Sequence, residues 1–314
     1  MPRAAGRHDH NTGEGIAIVH SILKSRYYYL MFLIPFVYFV VFHYIPLFGI
    51  LIAFKNYNVF QGVFDSPWVG TKYFRQFLSD PYFYKLLKNT LLIGVYHLLF
   101  SFPAPIVLAL LLNELRHQVF KRIVQTVSYL PHFLSTVVVV GIIVNFMAYD
   151  GIINRLLGLF GVEGIHFLMM PEWFRTIYIG SEIWQGIGWG SIIYLAALAG
   201  VDPQLYEAAT IDGANRWKQM LHVTLPGIAP AIIILLLFNI GAVMSVSFEK
   251  VLLLSNGSNQ EASDVISLHV YRRGLISNDL SYATAVGLFN SVLSVLFLTV
   301  ANRVSKKVSE TSLW

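Results

Sequence analysis

Two short runs of residues hold most of the chemistry available to this chain. The first is Glu182, Gln185, Gly186 and Trp189, spaced i, i+3, i+4 and i+7, so one helical face carries all four. A carboxylate, an amide, a bare stretch of backbone and an indole suit a polyhydroxylated ligand. The polar groups can bond hydroxyls, the indole can stack on a ring, and the glycine lets the ring approach the main chain. The second run is Tyr206-Glu207-Ala208-Ala209-Thr210-Ile211-Asp212-Gly213-Ala214, followed by Leu225-Pro226. It is polar and helix-forming, and it is wedged between two long apolar stretches. Such an insert does nothing for insertion into a bilayer, so it suits contact with something outside one.

Enzymatic chemistry finds no foothold. Cysteine is absent, which removes thiolate nucleophiles, thiolate metal sites and disulfides. There is no nucleophile elbow, no phosphate-binding Walker loop and no pair of catalytic carboxylates. His97 has neither a second histidine nor a carboxylate at ligand spacing, so no metal site is expected. No cofactor is expected in this chain, and any work it does must be driven from elsewhere.

These residues sit in a chain built for lipid. It has 314 residues, 56% hydrophobic and only 12% charged, against roughly 25% charged in a soluble domain. So few charges cannot cover a water-facing surface. The net charge of +5 comes from residues mainly between or beyond the apolar runs, which fits lipid headgroups and water better than nucleic acid. A spanning helix needs about 20 apolar residues. Stretches near residues 27–53, 86–112, 123–148, 176–199, 229–248 and 282–301 meet that length. The first is too long for a signal-peptide core and lacks a small-residue cleavage site, so it reads as a retained span behind a tail of residues 1–26. Pro103 and Pro105 are expected to kink the second. The fold class is therefore an all-α polytopic membrane protein with six transmembrane helices and both termini on one side. Lys and Arg divide too evenly between the two sides to say which side that is.

Smaller features follow the same logic. Gly62, Ser66-Pro67-Trp68 and Gly70 mark turns, and residues 72–83 read as an interfacial helix or a docking surface. Asn89, Asn145, Asn290 and Asn302 suit hydrogen bonds between helices, and Gly141, Ala242 and Gly287 suit close crossings. Glu182 has a second reading, as an acid near the outer headgroups paired with Arg175. Trp184 lies off the shared face and fits an interfacial belt, a reading also open to Trp189.

The polar insert reads as two short helices at the membrane surface. Asp202 caps the first and Pro203 fits its first turn. Gly213 can close that helix in a left-handed conformation. Residues 215–222 form the second helix, Leu225-Pro226 stops it, and Pro230 opens the next span. By physics alone the insert could equally be an amphipathic loop packed on its own bundle.

A resemblance weighs in here. Glu207-Ala208-Ala209, three residues, Gly213, nine residues, Val223, one residue and Leu225-Pro226 resembles the EAA loop of permease subunits of binding-protein-dependent ABC importers. Val223 stands where Ile is more usual, a conservative departure. Ser66-Pro67-Trp68-Val69-Gly70, Asp80-Pro81, Asn89-Thr90, Tyr129-Leu130-Pro131 and Gly151-Ile152-Ile153-Asn154 are similar to the sugar-importer branch. Trp189-Gly190 and Ile193-Tyr194-Leu195-Ala196-Ala197-Leu198 resemble its oligo- and polysaccharide members, alginate-type and maltose-type relatives among them.

The resemblance implies an importer-type ABC permease fold with cytoplasmic termini: a tail (1–26), a transmembrane domain (27–302) containing a cytoplasmic coupling loop (about 202–228), and a second tail (303–314). It implies coupling to an ATPase through Glu207, Ala208, Ala209, Asp212, Gly213, Leu225 and Pro226. It implies a sugar path along Glu182, Gln185, Gly186 and Trp189, joined by Asn239 and Val243 of the next helix. The partners implied are a second permease, two ATP-binding subunits that hold ATP and Mg, an extracellular or periplasmic sugar-binding protein, and the bilayer of the cell membrane. The alternative is a self-sufficient secondary transporter, against which the lack of inverted repeats and of paired mid-membrane acids speaks.

Overall fold

The computed structural model describes residues 25–309 and 311–314. Nearly all of the expected N-terminal tail, residues 1–26, lies outside the described residues. Among the described residues five helices are long and apolar enough to span a membrane: Arg26–Phe54, Tyr82–Glu114, Thr136–Gly158, Arg216–Gly241 and Leu280–Val308. The sixth span is Pro171–Ala199, which qualifies together with the helix after it, Pro203–Ile211; the two meet at 71°. A transmembrane backbone must satisfy its own hydrogen bonds, and an all-helical bundle does so.

Several boundaries differ from expectation. The third span does not begin near residue 123. An amphipathic helix, Gln118–Tyr129, comes first, then a tight 3₁₀ turn, Leu130–Phe133, carrying Pro131. Ser135 then caps a new helix, its Oγ accepting from the Val138 amide at 3.4 Å. Proline cannot donate the bond that would carry one helix through, and the serine restarts the next. The fifth span is longer than expected. Pro226 does not stop the helix of the polar insert. A π-helical turn, Met220–Thr224, leads straight into Leu225–Gly241, so the missing proline amide falls where the ladder has already been re-registered. Pro230 lies inside this helix rather than at its start. In the second span a similar π turn, His97–Ser101, precedes Pro103 and Pro105.

Three apolar clusters hold the bundle together. One gathers Phe174, Tyr178, Val251 and Leu254. One gathers Phe77, Leu86, Met244 and Tyr282. The third joins Ala109, Tyr194, Leu198 and Ile228. Phe77 belongs to the short helix Lys72–Leu78, which therefore packs inward, and Tyr73 of the same helix donates to Asn56 Oδ1 at 2.7 Å. The first span is exposed over residues 26–47, where most of its aromatic side chains face outward, while its end, Phe48–Phe54, packs into the second cluster through Ala53.

The close crossings are not at Gly141 or Gly287, where an added Cβ would meet nothing within 4 Å. They are at Gly94, which faces the Val243 carbonyl, and at Gly188, which faces the Ser128 carbonyl. Ala242 is exposed. Among the asparagines, Asn89 does cross-link, donating to the carbonyls of Glu261 and Asp264 at 2.8 and 3.0 Å. Asn290 donates to the Met244 carbonyl. Asn145 instead bonds Gly141 of its own helix, and Asn302 holds the C-terminal segment through Leu313 and Trp314.

Candidate functional site

The polar insert forms a rigid elbow. Asp202 Oδ1 accepts from the Gln204 amide at 2.9 Å, and Pro203 occupies the first turn. Gly213 has φ 75°, the left-handed conformation expected of it. Two bonds close the helix end: Gly213 N to Thr210 O at 3.0 Å and Ala214 N to Ala209 O at 2.9 Å. They are the paired bonds of a Schellman motif. Asn215 caps the second helix by accepting from Lys218 N at 3.0 Å. Gln219 Nε2 then ties the two helices, donating to Thr210 Oγ1 at 3.0 Å and to Ala214 O at 3.1 Å. Tyr206 and Thr224 share a hydroxyl bond at 3.0 Å. Arg216 reaches Glu114, at the end of the second span, at 3.3 Å.

What the elbow presents outward is unusual. Glu207, Ala208, Asp212 and Gly213 are exposed and Ala209 is half-buried. Beside them Ile211 is 87% exposed and Trp217 71%. Leu225 turns instead toward Val201 and the core, and Pro226 sits a π turn further along the continuous helix. Large apolar groups displayed on a well-braced polar elbow are the composition of an interaction surface.

The second candidate set lies deeper. Glu182 Oε1 is 2.5 Å from Lys250 Nζ, and Lys250 Nζ also donates to Gln185 Oε1 at 3.0 Å. Lys250 is 3% exposed. The other oxygen of Glu182 faces His97 Nδ1 at 3.9 Å, and His97 Nε2 is bonded to Asn239 Oδ1 at 3.1 Å. Gln185 Nε2 donates to the Leu134 carbonyl at 3.3 Å. So the structure brings Glu182, Gln185 and Asn239 into one network, with Lys250 and His97 as its links. The pairing of Glu182 with Arg175 is not found; Arg175 donates to Asn89 at 2.9 Å. The network borders a cavity of about 110 Å³ lined by His97, Tyr178, Glu182, Val243, Ser245 and Ser247.

The remaining residues of the expected path sit differently. Nothing crowds Gly186 within 4 Å of an added Cβ. Trp189 stacks flat on His132, centroids 4.5 Å apart and rings 2° from parallel, with Phe133 edge-on at 5.8 Å. It keeps 47% of its surface exposed. Val243 is buried, with both its carbonyl and its side chain packed against Gly94. Trp184 lines a separate apolar groove with Phe146 and Trp173.

Sequence reasoning missed Lys250. The available signal was a lysine running directly into Val251-Leu252-Leu253-Leu254. It also missed His97 as a partner of Glu182, because the two are 85 positions apart and only the fold makes them neighbours.

Residues 101–310 match the model of the binding-protein-dependent transport system inner membrane component family. The chain belongs to that family. This permease is thus a multi-pass inner-membrane transport component. It is 46% identical to the polygalacturonan/rhamnogalacturonan transport system permease protein YteP of Bacillus subtilis, over 93% of this chain and 92% of the relative. It is 43% identical to protein LplB of the same organism, over 96% and 95%. Among solved structures it is similar to a chain of a bacterial ABC transporter that imports the acidic polysaccharide alginate, with TM-score 0.86, 39% identity, and 93% and 99% of the two chains covered. It is also similar to a chain of a bacterial alginate ABC transporter in complex with an alginate pentasaccharide-bound periplasmic protein, with TM-score 0.86, 39% identity, and coverage of 94% and 99%. A self-sufficient secondary transporter is set aside by this membership.

Proposed function

We propose that this permease is one transmembrane half of an ATP-driven importer of oligo- or polysaccharides, and that its substrates are acidic. The observation that carries the coupling claim is the braced elbow with Ile211 and Trp217 exposed beside Glu207 and Ala208. ATP-binding subunits are the partners such a surface serves in a binding-protein-dependent system. In this reading the elbow seats in a groove of one ATP-binding subunit and is cytoplasmic, and both termini share its side. Glu207 pairs with a basic residue on the groove rim, while Ala208 and Ala209 are small enough to let the helix seat closely. ATP and Mg are held by the two ATP-binding subunits, a second permease completes the path, and a sugar-binding protein delivers the substrate. The carbohydrate class is supported by the activities of YteP and of the alginate transporter. The path is assigned to Glu182, Gln185, Gly186, Trp189, Asn239 and Val243.

The test is co-purification followed by reconstitution. A tagged permease should bring down a second permease and two ATP-binding subunits, and should transport nothing by itself. Recovery as a lone chain that moves sugar without ATP would refute the reading.

A further inference from the structure

We infer that Lys250 determines which substrates the path admits, by cancelling the charge of Glu182 so that an acidic sugar can pass. The inference rests on the carbohydrate path proposed above. Lys250 is almost wholly buried, with its ammonium between Glu182 Oε1 at 2.5 Å and Gln185 Oε1 at 3.0 Å, and with the Tyr178 ring 5.9 Å away. Glu182 is the more open member, its side chain 23% exposed against 4% for Lys250. A molecule in the path therefore meets the carboxylate and not the ammonium.

A bare carboxylate there would repel a uronate. With Lys250 in contact the pair is neutral overall. The groups packed around the carboxylate are few. Tyr178 comes from the same helix, Lys250 from the segment after the fifth span and His97 from the second span, while Asn239 of the fifth reaches it only through His97. His97 approaches only to 3.9 Å and carries charge only when protonated. Among these, Lys250 is the one full positive charge in contact with Glu182. Its role is exerted through Glu182, so it is a positioning and charge-balancing residue rather than a ligand of the sugar.

A latch and a charge balance predict different rescues. If the bond itself matters, as a clasp between two elements, a neutral Met–Gln pair cannot replace it. If only the cancelled charge matters, the neutral pair can. The experiment uses the complete complex, with partner permease, ATP-binding subunits and binding protein, in proteoliposomes supplied with trigalacturonate. Uptake is normalised to the amount of assembled complex. Lys250→Met should lower the maximal rate at least tenfold. The double variant Lys250→Met with Glu182→Gln should be at least fivefold faster than Lys250→Met, while staying below wild type because Glu182 itself lines the path. A double variant as slow as the single one, or a single variant with unchanged uptake, would overturn the inference while leaving the importer reading intact. A wild-type complex that ignores trigalacturonate would overturn the acidic-substrate reading itself, and this inference with it.

Discussion

Lys250 Nζ lies 2.5 Å from Glu182 Oε1, across 68 positions of sequence. A buried ion pair of this kind contributes little net stability when intact, yet is costly to break from one side. Glu182→Ala strands a lysine whose side chain is only 4% exposed. The complex should lose about 3–5 kcal/mol, read as a drop in the unfolding midpoint in detergent. Lys250→Met with Glu182→Gln should lose much less.

Gly213 holds φ 75° with open space around it. The demand is on backbone conformation, not on room. Gly213→Asn should therefore retain most uptake, Gly213→Ala less and Gly213→Val least. The strain of placing a β-carbon there is of order 1–2 kcal/mol. Uptake rates across the three variants check the order; equal rates would mean the turn's conformation does not matter.

Gly94 and Gly188 make the opposite demand. A β-carbon on Gly94 runs into the Val243 carbonyl, and one on Gly188 into that of Ser128. Neither neighbour is a flexible side-chain tip, so the helices must separate. Gly188→Ala should cost about 1–3 kcal/mol, as overpacking does, and should reduce the yield of assembled complex. Gly141→Ala, with nothing within 4 Å, should be silent in the same assay.

Asn89 joins the second span to the segment before the sixth. It donates to two carbonyls and accepts from Arg175 Nη2 at 2.9 Å, while Arg175 Nε is buried without a partner among the described residues. Asn89→Leu leaves those groups unpaired, at about 1–3 kcal/mol for a neutral group and more for the guanidinium. The loss should appear as lowered thermal stability, with the proposed binding of the elbow to an ATP-binding subunit unchanged.

How much of this was legible in the sequence depended on range. The elbow was readable because its determinants are local: an aspartate before a proline, a glycine at the helix end, an asparagine before the next helix. The spans were readable because apolar length is a local property too. Their ends were not, since Pro226 reads as a stop unless a π turn has already shifted the ladder. The polar network was half readable. Helical spacing placed Glu182 and Gln185 on one face, but Lys250 and His97 join them only through packing of distant segments. Gly141 and Gly287 were expected at crossings because small residues permit close approach; permission is not contact, and Gly94 and Gly188 are where the backbones meet.

The central claim is that work enters through the elbow of residues 202–214. The most direct measurement is ATPase activity of the reconstituted complex, stimulated by a sugar-loaded binding protein, for wild type, Glu207→Ala and Ile211→Asp. Both positions are exposed, Ile211 at 87%, so neither change should disturb membrane insertion or fold. The account predicts that both variants insert normally but lose most of the stimulation, with less ATP-binding subunit retained by Ile211→Asp. Full stimulation and full retention in both variants would contradict it.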